Sequence, residues 1–354
     1  MRVLQIHKDF EPLKGGGGTA RHIHGLARAL ATENCDVRVV APDAEHIESP
    51  YHSVRATASQ LGEHVKWADV VHVHGARSTY AVRGAILAAL NKKPFFYTPH
   101  AFYGGDSIAN SALKAVWDRT AEKFLLEKGA RTILLTDAWF DFLSERGISA
   151  KKTSIIPNCV MGSDIAQSVS RTSIAGRPAI LSVGRLDAVK RLDDVVRALA
   201  DPILEHAHLH IVGKGAERER LERRATDLGV GSRVTFHGFV DDQGVAEMMR
   251  GADAFVLASE QEGLPTVLLE ALMSGLPVVC SRIPGNLAIM DVAQIDTTYE
   301  VGDVTALAQR LAESVKTSVS PVAAERLQKA FTWEYRAPEV LRLYQNSITQ
   351  SSRL

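Results

Sequence analysis

The feature that most constrains this chain is a repeated alternation of short apolar runs of strand length with stretches of helical spacing. Val3 to Ile6 leads through a glycine loop into a helix from Thr19 to Ala31. Then come Val37 to Ala41, Val70 to His74, a helix over Tyr80 to Leu90, Pro94 to Thr98, a helical region from Ile108 to Lys128, and Thr132 to Thr136. Ile155 to Pro157 closes the series as a short strand. Strands separated by helices of this length build βαβ units around a parallel sheet. Between Met161 and Pro178 the pattern lapses into Ser, Thr, Gly and Arg, a linker composition. It restarts with Ala179 to Val183, a helix Leu192 to Ala200, His208 to Val212, a charged helix Glu217 to Leu228, and Arg233 to Phe236. A helix near Gln243 to Arg250, Ala254 to Ala258, a helix Thr266 to Ser274, and Pro277 to Cys280 follow.

The expectation is α/β architecture: two consecutive Rossmann-like, doubly wound domains at 1–165 and 166–334. A length of 354 residues agrees with two domains. The tail from Phe331 to Asn346 has amphipathic helical spacing interrupted by Pro338. A kink there would carry a terminal helix, about 335–354, back onto the first domain.

Composition excludes more than it assigns. Lys plus Arg and Asp plus Glu number 41 each, so no bulk field draws the chain to nucleic acid. Cys35, Cys159 and Cys280 are far apart, without metal or redox spacing, and read as buried thiols in a reducing compartment. The apolar run V-L-Q-I at the start is too short for a signal peptide. No apolar run approaches the roughly 20 residues needed to span a bilayer. A cytoplasmic location is expected, with membrane contact limited to a surface.

Ser259 to Glu270 (S-E-Q-E-G-L-P-T-V-L-L-E) joins a buried strand to a helix whose free N–H groups form an anion site. Pro265 suits the first helical position. Glu262 in the turn and Glu270 in the helix could accept hydroxyl hydrogen bonds, as a sugar nucleotide would require. An ordinary turn with acids complementing the helix dipole accounts for the same residues. Ser182-Val183-Gly184-Arg185-Leu186 ends another strand, with Lys190 and Arg191 beyond it, and Ile211-Val212-Gly213-Lys214-Gly215 repeats the design. Cations there would meet a diphosphate by forked and point-charge contacts, although surface cations are common.

Nine of the 13 histidines precede residue 101. In Val71-His72-Val73-His74-Gly75 the alternation points His72 and His74 the same way, and the neighbourhood lacks a third ligand at metal spacing, so no metal is expected. His100 follows the next strand, placed either to reach a ligand or to pack. Lys14-Gly-Gly-Gly-Gly-Thr19 lets backbone N–H groups approach a phosphate, with Thr19 as an N-cap, or it is a flexible turn. From Ile108 to Arg131, Leu113, Val116, Trp117, Phe124 and Leu125 lie among Lys114, Arg119, Lys123, Lys128 and Arg131. That pattern fits a basic helix on an anionic bilayer or a core helix with a solvated face.

Taken together, V-G-R-L…K, I-V-G-K-G-A-E-R-E-R-L, H-G-F-V and S-E-Q-E-G-L-P-T-V-L-L-E resemble family 4 of the retaining glycosyltransferases. G-G-G-G-T near the start and I-I-P-N before the linker extend the likeness over nearly the whole chain. The resemblance implies the GT-B fold, two domains facing across a cleft, with closure excluding water around the donor. It implies transfer of a hexose from a UDP- or GDP-sugar to a hydroxyl acceptor, a glycan or lipid-linked saccharide of bacterial cell-surface polysaccharide synthesis, without a metal cofactor. Arg185 and Lys190 would hold the donor diphosphate, Glu262 would lie beside the sugar, and Glu270 would bond the ribose hydroxyls. His100 would bond the sugar's 6-hydroxyl or orient the acceptor. Gly184 would belong to the donor-binding residues. Gly263, Leu264, Pro265 and Thr266 would touch sugar and phosphate through backbone N–H groups where they have one. Gly238, Phe239 and Val240 would line the base pocket, and Gly16 and Gly17 would approach the diphosphate. Asn158-Cys159 and Gly285-Asn286 depart from the family pattern, the second leaving one loop unassigned. Rival readings are a GT-B-type sugar-nucleotide epimerase and a non-catalytic nucleotide-sugar-binding subunit.

Overall fold

The structure, a computed structural model, describes residues 1–11, 17–100, 115–137, 139–145, 152–167 and 174–351. The chain divides into two compact units, Met1–Cys159 with Trp333–Leu354, and Val160–Thr332.

Unit 1 holds a seven-stranded sheet of β1 (Arg2–Ile6), β2 (Asp36–Ala41), β3 (His52–Arg55), β4 (Val70–His74), β5 (Phe95–Thr98), β6 (Arg131–Leu134) and β7 (Thr153–Ile155). The order is β3-β2-β1-β4-β5-β6-β7, and every pairing is parallel. Strand alternation sends Leu4, Ile6, Val71, Val73 and Tyr97 into an apolar core shared with α2 (Leu61–Trp67) and α3 (Thr79–Leu90), which follow α1 (Gly17–Thr32) in the chain. Gln5, His72 and Thr98 take the opposite parity, so this face of the sheet carries buried polar groups. The helix α1 begins at Gly17, whose φ of +73° only glycine adopts cheaply. Thr19 therefore lies inside the helix rather than at its cap.

The expected helical region from Ile108 falls partly outside the described residues. Its described part opens into a π-helical turn over Asp118–Glu122 before α4 (Lys123–Lys128). Trp117 Nε1 donates to Glu122 Oε2 across five residues at 3.2 Å, the spacing of that wider turn. Glu122 is buried and also accepts from Tyr97 Oη and the Arg77 backbone, while burial pushes its carboxyl up. Leu125 and Leu126 are buried in the core, and Val116, Arg119 and Lys123 face outward. A short helix, α5 (Trp139–Ser144), precedes β7.

Unit 2 repeats the plan with β8 (Ala179–Val183), β9 (His208–Val212), β10 (Val234–Gly238), β11 (Ala254–Leu257), β12 (Val278–Ser281) and β13 (Thr298–Tyr299). The order is β10-β9-β8-β11-β12-β13, again parallel throughout. Around it lie α6 (Gly162–Gln167), α7 (Leu192–Ala198), α8 (Arg218–Asp227), α9 (Asp242–Gly251), α10 (Thr266–Met273), α11 (Pro284–Ala293), α12 (Val304–Ser314) and α13 (Pro321–Phe331). Asp241, Asp303 and Ser320 cap α9, α12 and α13, each accepting from a backbone N–H three residues on.

The tail corrects one expectation. The helix α14 (Trp333–Ser351) runs through Pro338, and the break falls earlier, at Thr332, which is extended (φ −114°, ψ 148°). Thr332 bridges to Val160 as a strand would, so pairing rather than proline ends α13. The helix α14 belongs to unit 1, where Trp333 and Tyr344 are fully buried. Tyr344 Oη lies 2.6 Å from His72 Nδ1, against the polar face of the sheet. Trp333 packs where a Cβ on Gly25 of α1 would sit 2.4 Å from its Nε1, so glycine lets the two helices meet.

Candidate active site

In an open parallel sheet, ligands bind beyond the carboxyl ends of strands where the winding reverses. In unit 2 that point lies between β8 and β11, in unit 1 between β1 and β4.

Beyond β8 the chain passes Gly184 and Arg185 into a 3-10 turn, Ala188–Lys190, and then Arg191, left-handed at φ 49°. Arg191 holds this course by donating to Asp194 Oδ2 (2.7 Å) and Glu260 Oε2 (3.2 Å), while Glu260 N donates to the Val189 carbonyl (2.9 Å). Lys190 Nζ is thereby set 2.5 Å from Glu262 Oε1, which also accepts from Ser259 Oγ at 2.7 Å. The two side chains are only 20% and 12% exposed. The Lys190 stem passes over Gly184, Cε lying 3.8 Å from where a Cβ would be. Arg185, 72% exposed, reaches Asp187 at 3.0 Å and leaves most of its fork in solvent. A pocket at the strand ends is lined by Ser182, Gly184, Arg185, Lys190, Val212 and Ala258.

Backbone packing fixes the neighbouring turns. A Cβ on Gly213 (φ +136°) would lie 1.8 Å from the Gly184 carbonyl oxygen, so these strand ends meet main chain to main chain. Gly213 N donates to the Gly238 carbonyl at 2.7 Å. This places Phe239, 47% exposed, next along from β10, with Lys214 Nζ 5.8 Å from its ring centroid. The turn before α10 rests on the loop that sequence reading left unassigned. A Cβ on Gly285 would lie 2.6 Å from the Glu262 carbonyl oxygen. Buried Asn286 donates to Ser281 O (2.8 Å), and Ser281 Oγ donates to Ser259 O. Gly285 and Asn286 thus support Glu262 from behind, a role only the fold reveals because Gly285 stands 23 residues from Glu262. Thr266 begins α10 as expected, with Pro265 at the cap rather than at the first helical position. Leu264 is buried, while Gly263, Glu270 and Val240 are half-buried around the same strand ends.

In unit 1, His74 ends β4 and His100 follows β5 at φ 64°. Nδ1 of His74 lies 3.2 Å from Nε2 of His100, and His22 of α1 packs edge-on against His100 at 4.8 Å. His22 was not singled out by sequence, since it reads as one position of an amphipathic helix. Its Nδ1 lies 2.8 Å from Asn158 Oδ1. Burial pushes the His22 imidazole down to about 4, and His72, His74 and His100 fall well below the usual value for the same reason. All four are neutral near pH 7. Cys159, beside Asn158, is buried and its thiol is pushed up by burial. Gly17 has open space where a Cβ would stand. Gly16 and Lys114 lie outside the described residues.

Unit 2 therefore gathers Gly184, Arg185, Lys190 and Glu262 at its switch point, with Gly238 and Phe239 on the neighbouring strand end. His100 belongs to a separate cluster in unit 1.

Comparison with known proteins gives concordant results. Residues 16–161 match the family described as Glycosyltransferase Family 4, and residues 166–330 match Glycosyl transferases group 1. An uncharacterised glycosyltransferase of Methanocaldococcus jannaschii is 38% identical over 334 residues, covering 82% of this chain and 83% of that protein. A lipopolysaccharide core biosynthesis glycosyltransferase of Rhizobium meliloti is 33% identical over 141 residues, 40% of each chain. Among solved structures, Anabaena HepE in complex with UDP and glucose superposes with a TM-score of 0.73 at 16% identity over the full length of both chains. The fold is GT-B, and the chain belongs to the family 4 glycosyltransferases.

Proposed function

We propose that this protein is a retaining hexosyltransferase that uses a nucleoside diphosphate sugar and needs no metal ion. The observation that carries this reading is the half-buried Lys190–Glu262 pair beside exposed Arg185 at the carboxyl ends of β8 and β11. A diphosphate entering there would draw Lys190 from Glu262 and take Arg185 through its fork. Transfer breaks the bond between the sugar's anomeric carbon and the diphosphate oxygen, which keeps the electron pair. The two cations stabilise that charge, and the acceptor hydroxyl oxygen bonds the anomeric carbon on the same face while its proton passes to the departing diphosphate oxygen. Glu262, released from Lys190, hydrogen-bonds the sugar, and Glu270 the ribose. Gly238, Phe239 and Val240 receive the base. His100 bonds the sugar or orients the acceptor.

A uridine base is favoured by the relative solved with UDP and glucose. An acceptor in cell-surface glycan synthesis, polysaccharide or lipid-linked, is favoured by the lipopolysaccharide core relative. A panel of UDP-, GDP- and ADP-sugars tests the donor by thermal stabilisation and turnover, with and without EDTA. A ligand at about 100 times its Kd stabilises by about 2.7 kcal/mol, a shift of several degrees. One nucleotide series is expected to give that shift, with turnover unchanged by EDTA. Failure of every donor would overturn the function, and strict dependence on a divalent ion would overturn the metal-free mechanism.

The same reading places the protein at the cytoplasmic face of a membrane when it meets lipid-linked acceptors. Among the described residues, no helix is long and apolar enough to cross a bilayer. Because Leu125 and Leu126 are spent in the core, contact would rest on the charges of Lys114, Arg119 and Lys123. Each basic residue near an anionic surface contributes about 1 kcal/mol, so neutralising all three should weaken co-sedimentation with anionic vesicles about 100-fold. Vesicles that fail to pellet the unaltered protein would end this part of the reading.

A further inference from the structure

Three histidines from separate elements of unit 1 converge on one point. His22 comes from α1, His74 from the end of β4 and His100 from just beyond β5, and one ligand atom of each lies within 4.8 Å of the others. All three are buried, at 1%, 0% and 8% exposure. His74 Nδ1 and His100 Nε2 are 3.2 Å apart. Two nitrogens on one tetrahedral ion, each bound at about 2.0–2.1 Å, stand about 3.4 Å apart.

The surroundings also fit a ligand set. An amide oxygen only accepts, so the His22 Nδ1···Asn158 Oδ1 contact puts the proton on Nδ1 and leaves the lone pair on Nε2. Metal-bound imidazoles are held this way, by an acceptor on the nitrogen that does not bind the ion. His74 Nε2 is buried with no hydrogen-bond partner. With a proton it is an unmet donor, without one an unmet acceptor, so neither tautomer alone relieves it. Binding an ion through Nδ1 fixes the proton on Nε2, and no bond at Nε2 holds His74 in the tautomer that would withhold the Nδ1 lone pair. A donor set of neutral imidazoles suits Zn²⁺, Co²⁺, Ni²⁺ or Cu²⁺ rather than Mg²⁺ or Ca²⁺.

We propose that His22, His74 and His100 form a three-nitrogen site for a divalent late transition-metal ion such as Zn²⁺, with a fourth position open to an oxygen ligand. The widest separation has to close by about 1.4 Å for tetrahedral binding. An ion there fixes the His100 ring, so it inhibits a transferase whose His100 serves the sugar. That consequence alone rests on the proposed function, and the site itself does not.

Chelator-treated full-length protein titrated with Co²⁺ should develop visible d–d absorption saturating at one equivalent, which Zn²⁺ then bleaches. X-ray absorption of the Zn²⁺-loaded unaltered protein should count three imidazole ligands, a readout that needs no variant to fold. His22→Gln and His74→Gln should abolish the cobalt signal. Asn158→Ala should weaken binding about 10- to 100-fold, and exposed His206→Gln should leave it unchanged. A Co²⁺ titration of the unaltered protein without saturable absorption, or a Zn²⁺ spectrum lacking imidazole, would overturn the site. Binding with no loss of turnover would instead overturn the placement of His100 at the sugar.

Discussion

Lys190→Ala is expected to lower kcat/KM by about 10²- to 10³-fold, the usual loss when a preorganised charge at a developing anion is removed. The structure sharpens why. Lys190 Nζ is not a mobile surface cation but is held 2.5 Å from Glu262, with its stem laid over Gly184 and the following Arg191 locked by Asp194 and Glu260. Its charge is therefore held at the strand ends before the diphosphate arrives, and it has only to exchange Glu262 for the diphosphate oxygens. The loss should fall mainly on kcat, because the leaving group gains charge in the transition state. Glu262→Gln separates the partners: it frees Lys190 from its ion pair while keeping the side chain's shape. If Lys190→Ala turns over like the unaltered protein, the assigned role fails.

The largest stability effect is expected from Gly213→Ala. The added Cβ would lie 1.8 Å from the Gly184 carbonyl oxygen at a φ of +136°, so main chain must move on two strands. Strain and overpacking of this kind together cost about 3–5 kcal/mol. Gly275 is the control: its φ is +82° but nothing lies within 4 Å of the Cβ position. Gly275→Ala should cost only the left-handed penalty, about 1–2 kcal/mol. Denaturant midpoints measure both, and equal losses would show that the contact at Gly184 is not rigid. Because Gly184 neighbours Arg185, the Gly213 variant should also lose donor affinity.

Much of this was legible in the sequence, for identifiable reasons. Central strands such as Val70–His74 and Ala254–Leu257 are buried on both faces; Ala254–Leu257 reads as an unbroken apolar run, and Val70–His74 as valines interrupted only by two histidines. The edge strand His52–Arg55 has no fully buried residue, and Thr298–Tyr299 is two residues long, so neither leaves a pattern. The short helix Leu61–Trp67 buries only Leu61 and Val65. At the site, strand-end logic located Arg185, Lys190 and Glu262, because a cation or acid after an apolar run is a local signal. The Lys190–Glu262 pair, the support from Gly285 and Asn286, and the meeting of His22 with His74 and His100 are products of strand order. Searching for a third histidine near His72 and His74 in sequence could not find one contributed by α1.

The interruption of unit 1 by unit 2 bears on how the protein is made. Trp333, which packs against Gly25 of α1, and Tyr344, which lies against the polar face of the first sheet, are synthesised after all of Val160–Thr332. At about 5–20 residues per second, those roughly 170 residues take about 10–30 seconds to emerge from the ribosome. Throughout that interval His72 lacks Tyr344 and Gly25 faces no tryptophan. The domain begun second is the first that can finish, and the nascent amino-terminal half keeps part of its buried surface uncovered until the last helix arrives.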